Sequence, residues 1–391
     1  MKEGECMRSF KRWLLIFIIT IFSVISSGCW NYREIDQLGI GTGMAVDRDP
    51  ISNDYIVSVE LINISSDTGK LPMYSEIYTS KSKTMFDAIR NVIEITGKRI
   101  FWGHAKILII SEDIAKEGLI PVIDWSLRDS EIRNDIDLLI AKGSSAENIL
   151  KNKHYNGNSL SFHIDNILKN QKSVTKYVDT KLFRNKIEIE KDNFAATVET
   201  VSVKEMDNKR ILVVDGSAIF KGDKLVGYLD GNETMQMLML RNKLSSGVIP
   251  LKNVCNSNTD ITLEIFNNNT KLNSIYSDGE LTLRIDVYTT VAIDEQAGNE
   301  DFISVDKRRL LQQYAEMRIK ENLDSLVLKM QRNYDADVFG FQEFIEKNNP
   351  KIYKEFKKNN KDFFNNLQTD INVHISIKGS ATRTNTIKAG K

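Results

Sequence analysis

Cysteine is almost absent from this chain of 391 residues: Cys6, Cys29 and Cys255 are the full set. Cys6 lies in an N-terminal leader and Cys29 at its end, so only Cys255 is left for the folded body and no internal disulfide can form. Stability must then come from the core. Cys255 sits in a polar stretch, Asn253-Val254-Cys255-Asn256, and reads as a free thiol in a loop. Histidine is nearly as scarce. His104, His154, His163 and His374 are scattered, and none has the short-spaced partner of a zinc or iron site. A charge excess is missing as well. The 53 basic residues balance 53 acidic ones, so nothing resembles a nucleic-acid binder with its basic excess. No G-x-S-x-G elbow, G-x-x-x-x-G-K-S/T loop or H-E-x-x-H helix occurs. Asp135 with Asp137, and Glu112 with Asp113, read as solvated charges and helix caps rather than an acid–base pair. The reading is a non-enzyme with no catalytic residue, cofactor or metal. Beyond the leader, no apolar run reaches membrane length.

What is present begins with Trp13 to Cys29. Arg8, Lys11 and Arg12 lead into thirteen uncharged, largely apolar residues, Trp13 to Ile25, followed by Ser26, Ser27, Gly28 and Cys29. This is the anatomy of an export signal. Thirteen helical residues span about 20 Å at ~1.5 Å each, short of the ~30 Å hydrocarbon core, so a permanent span is disfavoured. The small residues admit a peptidase, and the thiol after Gly28 can be acylated. The feature resembles a bacterial lipobox, although Ser26 stands where such boxes carry an aliphatic residue. The expectation is a lipoprotein signal peptide over residues 1–28 and a lipidated Cys29. A plain secretory leader and a short uncleaved anchor are the competing readings, and translation could start at Met1 or Met7.

The rest is too long for one ordinary core, and two to three domains are expected. Its 41% hydrophobic and 27% charged residues fit a folded, water-soluble body. Leu38–Asp47 and Asp54–Ile64 read as hairpin strands around a Pro/Asp/Asn loop. Gly39, Gly41 and Gly43 invite a phosphate-loop reading, but a strand follows where a helix is needed, so close packing or a bulge is expected. Thr84 and Gly97 bracket a helix; Ser111 and Ser145 cap two more. His104–Ser111 and Ile136–Ala141 read as buried strands, and His154–Lys172 as a helix. From Phe194 the texture turns to hairpins, with Asp207-Asn208 and Gly222-Asp223 as turns. A methionine-rich helix follows near Asn232–Leu240, then strands over Ile261–Phe266 and Glu280–Ile293. A long helix covers Asp306 to about Arg332, and two shorter ones, Phe339–Glu346 and Ile352–Phe364, precede a closing strand, Thr369–Lys378. The fold class is α+β (mixed α/β), with mixed or antiparallel sheets packed by helices. The expected units are 29–195, an N-terminal α/β region of one or two subdomains, and 196–391, a C-terminal domain with the long helix and a sheet.

The order of these segments resembles the Ger(x)C family, the C-subunit lipoproteins of spore germinant receptors. Cys29-Trp30 with Arg33-Glu34-Ile35 and the glycine strand is similar to the family's opening, with Asn31 where the family often has Asp. Gly103–Leu119 and Leu127–Leu150 are similar to its N-domain block, Asp215–Thr234 to its C-domain entry, and Asp335–Phe356 with the last strand to its end. The resemblance spans about residues 10–380. It implies mixed α/β domains of unusual topology and no recognised activity. It also implies a subunit held in lipid through acylated Cys29, on the outer face of the spore inner membrane. Its partners would be two multispanning receptor subunits, A-type and B-type, and its work receptor assembly or signalling. A solute-binding lipoprotein that captures the germinant itself is the alternative. An envelope hydrolase, which would need two close carboxylates in a cleft, is a weaker third.

Overall fold

Runs of Val, Ile and Leu too continuous for a half-exposed sheet build the centre of the molecule. In the computed structural model the described residues are 10, 12–21, 37–64, 73–129, 131–152, 159–298, 300–360 and 362–378. The expected anchor Cys29, together with His154 and the last residues of the chain, lies outside them. Residues 12–21 are helical. No helix among the described residues is long and apolar enough to cross a membrane.

The first sheet has nine strands: β1 (Leu38–Arg48), β2 (Tyr55–Ile64), β3 (Met73–Ser82), β4 (Arg99–Phe101), β5 (Ile107–Ser111), β6 (Asp137–Ala141), β7 (Thr197–Met206), β8 (Lys209–Lys221) and β9 (Lys224–Leu229). Their order is β3-β2-β1-β5-β6-β7-β8-β9, with β4 beside β1. The centre, β1-β5-β6-β7, is parallel, and an antiparallel hairpin extends each end. Every residue of β5 and β6 is buried, as the apolar runs predict.

Helices cover both faces. On one lie α1 (Met85–Thr96), α2 (Glu112–Glu117), α3 (Ile120–Arg128) and α7 (Leu182–Ile189), packed on Met44, Val46, Leu108, Ile110, Leu138 and Ile140. On the other, α4 (Ala146–Leu150) and α5 (Leu160–Lys169) pack on Ala45, Ile107, Ile109, Leu139 and Ala141, and a short α6 (Gln171–Val174) follows. The caps read from sequence are in place. Thr84 accepts from the Asp87 N–H, Ser111 from Ile114 and Ser145 from Asn148, and Gly97 ends α1 at φ 67°.

The second sheet has the order β10 (Gly247–Leu251), β11 (Asp260–Ser277), β12 (Glu280–Ala297), β13 (Gln368–Ile377), antiparallel except for the β12–β13 pair. One face is buried under α8 (Gly231–Leu240), α9 (Val305–Lys329) with its π-helical end (Met330–Tyr334), α10 (Phe341–Asn348), α11 (Pro350–Asn359) and α12 (Phe363–Asn366). Met235, Met237 and Met239 of α8 are core residues, as expected. The open edge of β13 is sealed by α9: the Ile375 N–H donates to Glu316 Oε1 at 2.9 Å, and Lys320 Nζ donates to the Ile371 carbonyl. Residues 197–229 thus finish the first sheet, while their Ile219 and Leu229 pack into the second core.

Candidate functional site

The glycine triplet holds no ligand loop. A Cβ on Gly41 would meet Trp102 at 2.9 Å, and one on Gly43 would meet Ile107 at 2.8 Å and collide with the Ser161 hydroxyl. The β1–β2 register shifts between Gly41 and Gly43. Packing and a bulge are what the glycines permit, as expected.

Buried carboxylates hold the parallel sheet to its helices. Glu60 on β2 accepts from Leu160 N at 2.7 Å and Ser161 N at 3.1 Å, at the start of α5. The hydroxyls of Thr42 and Ser159 donate to it at 2.8 Å each. Asp47 on β1 does the same for α4, taking the Ala146 and Glu147 N–H groups at 2.8 Å. These are carboxylates at helix N-termini, where the free N–H groups and the helix dipole favour them.

A second group lies at the start of β6 and β7. Asp137 is buried and pairs with Lys181 at 2.5 Å. Burial pushes its carboxyl up to about 6, against the pull of Lys181. Burial works against the Lys181 ammonium too, but the bond to Asp137 leaves it raised. Glu199 is wholly buried and accepts from Thr180 Oγ1; burial, then the Asp137 charge, holds its carboxyl well above its ordinary value. The expected solvated role fails for Asp137, because the first residue of β6 is covered by the chain entering α7. Asp135 does lie outside, paired with Arg133 at 2.7 Å, and Glu112 pairs with Lys116 in the first turn of α2. Asp137 and Glu199 are close carboxylates with raised pKa, but they lie inside the sheet and not in a cleft.

The halves meet along Glu188–Ala195, which leads from α7 to β7. Lys191 Nζ lies 2.8 Å from Glu343 on α10, and Asn193 donates to the Tyr353 hydroxyl at 2.8 Å. The Ala195 N–H donates to the Asp337 carbonyl at 3.0 Å. The Asp337 carboxylate is buried and accepts from the N–H groups of Phe339, Gly340 and Gln342, while burial pushes it up to about 6. One cleft, about 380 Å³, opens beside Asn193 and Asp337, and another of about 350 Å³ opens beside Phe194 and Arg241. A third, about 290 Å³, lies between α1 and the Arg99–Glu131 ion pair.

Of the other sequence-singled residues, Cys255 is an exposed free thiol. His104 packs edge-on to Phe101, and His374 stacks on Tyr288 with centroids 4.8 Å apart. Among the described residues no three His, Cys, Asp or Glu side chains are grouped to hold a metal. Sequence reasoning passed over Glu60, Lys181, Glu199 and Arg241. Nothing local marks them, since their partners are distant in the chain.

Residues 31–200 match the family described as "Spore germination protein N-terminal domain", and residues 215–381 match "Spore germination B3/GerAC like, C-terminal". The chain belongs to the Ger(x)C family of spore germination proteins. Among its Ger(x)C relatives, spore germination protein B3 of Bacillus subtilis (strain 168) is 23% identical, over 93% of this chain and 96% of that one. Spore germination protein KC of the same organism is 24% identical, over 97% and 98%. The crystal structure of the GerBC protein shares the fold, with a TM-score of 0.56 and 18% identity, covering 88% of this chain and all of that one. The mixed α/β class expected from sequence is thus the observed one.

Proposed function

We propose that the chain is a lipid-anchored, non-catalytic C subunit of a nutrient germinant receptor. In this reading acylated Cys29 holds it on the outer face of the spore inner membrane. It acts there in receptor assembly or signalling, beside the A-type and B-type multispanning subunits. The observation that carries the reading is likeness along the whole length: both halves match spore germination domains, and B3 and KC align end to end with this chain. Two further features agree with it. The leader ends in Gly28-Cys29, and the buried carboxylates serve helix ends and sheet interior instead of an open cleft.

The test is Cys29→Ala in spores of the source organism. Mass spectrometry of the wild-type protein should find an N-terminal diacylglyceryl cysteine, and the variant should leave the membrane fraction. Nutrient-triggered germination should slow at least tenfold, while germination by a trigger that bypasses nutrient receptors should not change. An unmodified Cys29 in the wild type, or full nutrient response in a strain lacking the protein, would overturn the proposal.

A further inference from the structure

The cleft beside Phe194 is built across the join of the two halves. Phe194 comes from the segment before β7, Arg241 and Lys243 follow α8, and Phe339 and Phe344 lie at α10. Arg241 is fixed in place: its Nε donates to the Val338 carbonyl, and its guanidinium lies over the Phe194 ring, 4.8 Å from the centroid. Its Nη2 is nevertheless buried with no acceptor. On the same lining, Glu188 Oε2 is buried with no donor. An orphan donor and an orphan acceptor in one cleft are both destabilising unless something fills them.

The surrounding charge has a sign. Lys191, Arg241, Lys243 and Lys347 line the cleft against two carboxylates, Glu188 and Glu343. Glu343 is engaged by Lys191, the one ion pair within the lining among the described residues. Lys243 is held below its ordinary value, first by desolvation and then by Arg241, with Arg184 and Lys191 adding to Arg241 against the pull of Glu188. Arg241 already faces the Glu188 and Asp337 carboxylates, whereas Lys243 is crowded by its cationic neighbours, and a bound anion relieves it. Phe194, Phe339 and Phe344 supply apolar surface, and about 350 Å³ is room for a small molecule.

We infer that this cleft binds a small organic oxyanion that carries a hydrogen-bond donor beside its acid group. Arg241 Nη2 takes the oxyanion, Lys243 adds charge at the rim, Glu188 Oε2 accepts from the donor, and the phenylalanines cover the apolar body. Because both halves contribute walls, the ligand fastens one to the other. The inference is independent of the receptor reading, since its readout is binding to the purified chain.

The test is calorimetric titration of the full chain, in neutral detergent, with 3-phenyllactate and with 3-phenylpropionate, which lacks the hydroxyl. Saturable binding of 3-phenyllactate is expected, at least fivefold tighter than 3-phenylpropionate, with a raised melting temperature. Arg241→Lys, which keeps the charge but loses the fork, should weaken it at least tenfold. Lys243→Gln, at the exposed rim, should do so several-fold, and Lys354→Gln, away from the cleft, should not. No saturable heat, equal affinity for the two acids, or equal losses in Lys243→Gln and Lys354→Gln would each overturn the inference.

Discussion

Asp137 and Asp337 keep their protons up to about pH 6, because burial costs the charged form more than their partners return. In the unfolded chain the same groups titrate near pH ~4. Between those values the native state binds more protons than the unfolded state, so stability is greatest below pH ~4 on this account and falls as pH rises towards 6. Asp137→Asn removes one of these titrations and leaves those of Asp337 and of the likewise raised Glu199 and Asp47. The unfolding free energy, followed by urea denaturation across this window, should then fall less steeply, by up to about 1.4 kcal/mol per pH unit. An unaltered slope would show that Asp137 is ionised in the native state. Gly43 marks the opposite kind of constraint, steric instead of electrostatic. Gly43→Ala drives a methyl into Ser161 and Ile107, and a loss of about 1–3 kcal/mol is expected from the urea midpoint.

Elements here are joined by side chains that reach across long stretches of sequence. Glu60 gathers four donors from β1 and the start of α5, so Glu60→Ala leaves the Leu160 and Ser161 N–H groups without an acceptor and the Thr42 and Ser159 hydroxyls with only their long contacts to the Glu60 carbonyl and to each other. The expected cost is about 3–4 kcal/mol, with amide exchange accelerated in α5 before the rest of the sheet. Thr84→Ala, which removes one ordinary cap from α1, should cost only about 1 kcal/mol. Equal effects would deny Glu60 its special place. The same contrast explains what could be read in advance. Helices bounded by local caps, such as α1 between Thr84 and Gly97, and strands with unbroken apolar runs, such as β5, were legible because their signals lie within one turn or one strand. β3, β4, β10 and α7 were not, since their polar or short patterns fold only against neighbours. β11 was expected to stop at Phe266 but runs to Ser277, because Asn267–Asn269 lie opposite β12 and its pairing carries them. The cleft at Arg241 was illegible for a related reason: its walls come from three segments, near residues 190, 242 and 343, that are far apart in the chain.

At the scale of the molecule, the change of texture near residue 195 does not coincide with a break in packing. β7–β9 complete the first sheet, and Ala195, Ile219 and Leu229 belong to the core beneath the second. Lys221 at the end of β8 pairs with Asp335, just past the π-helical end of α9, at 2.5 Å across the same region. We propose that both halves unfold together. Calorimetry of the full chain should give one transition, and a fragment ending at Leu229 should aggregate with its Ile219 and Leu229 uncovered; two resolved transitions would contradict this. The sealing of β13 by α9 has a different consequence, for gene architecture. A nonsense codon beyond α12 spares nearly all of the mass yet deletes the strip on which Glu316 and Lys320 close. Late frameshifts should therefore rank with early ones in severity, and a purification tag tolerated by the protein belongs after residue 378.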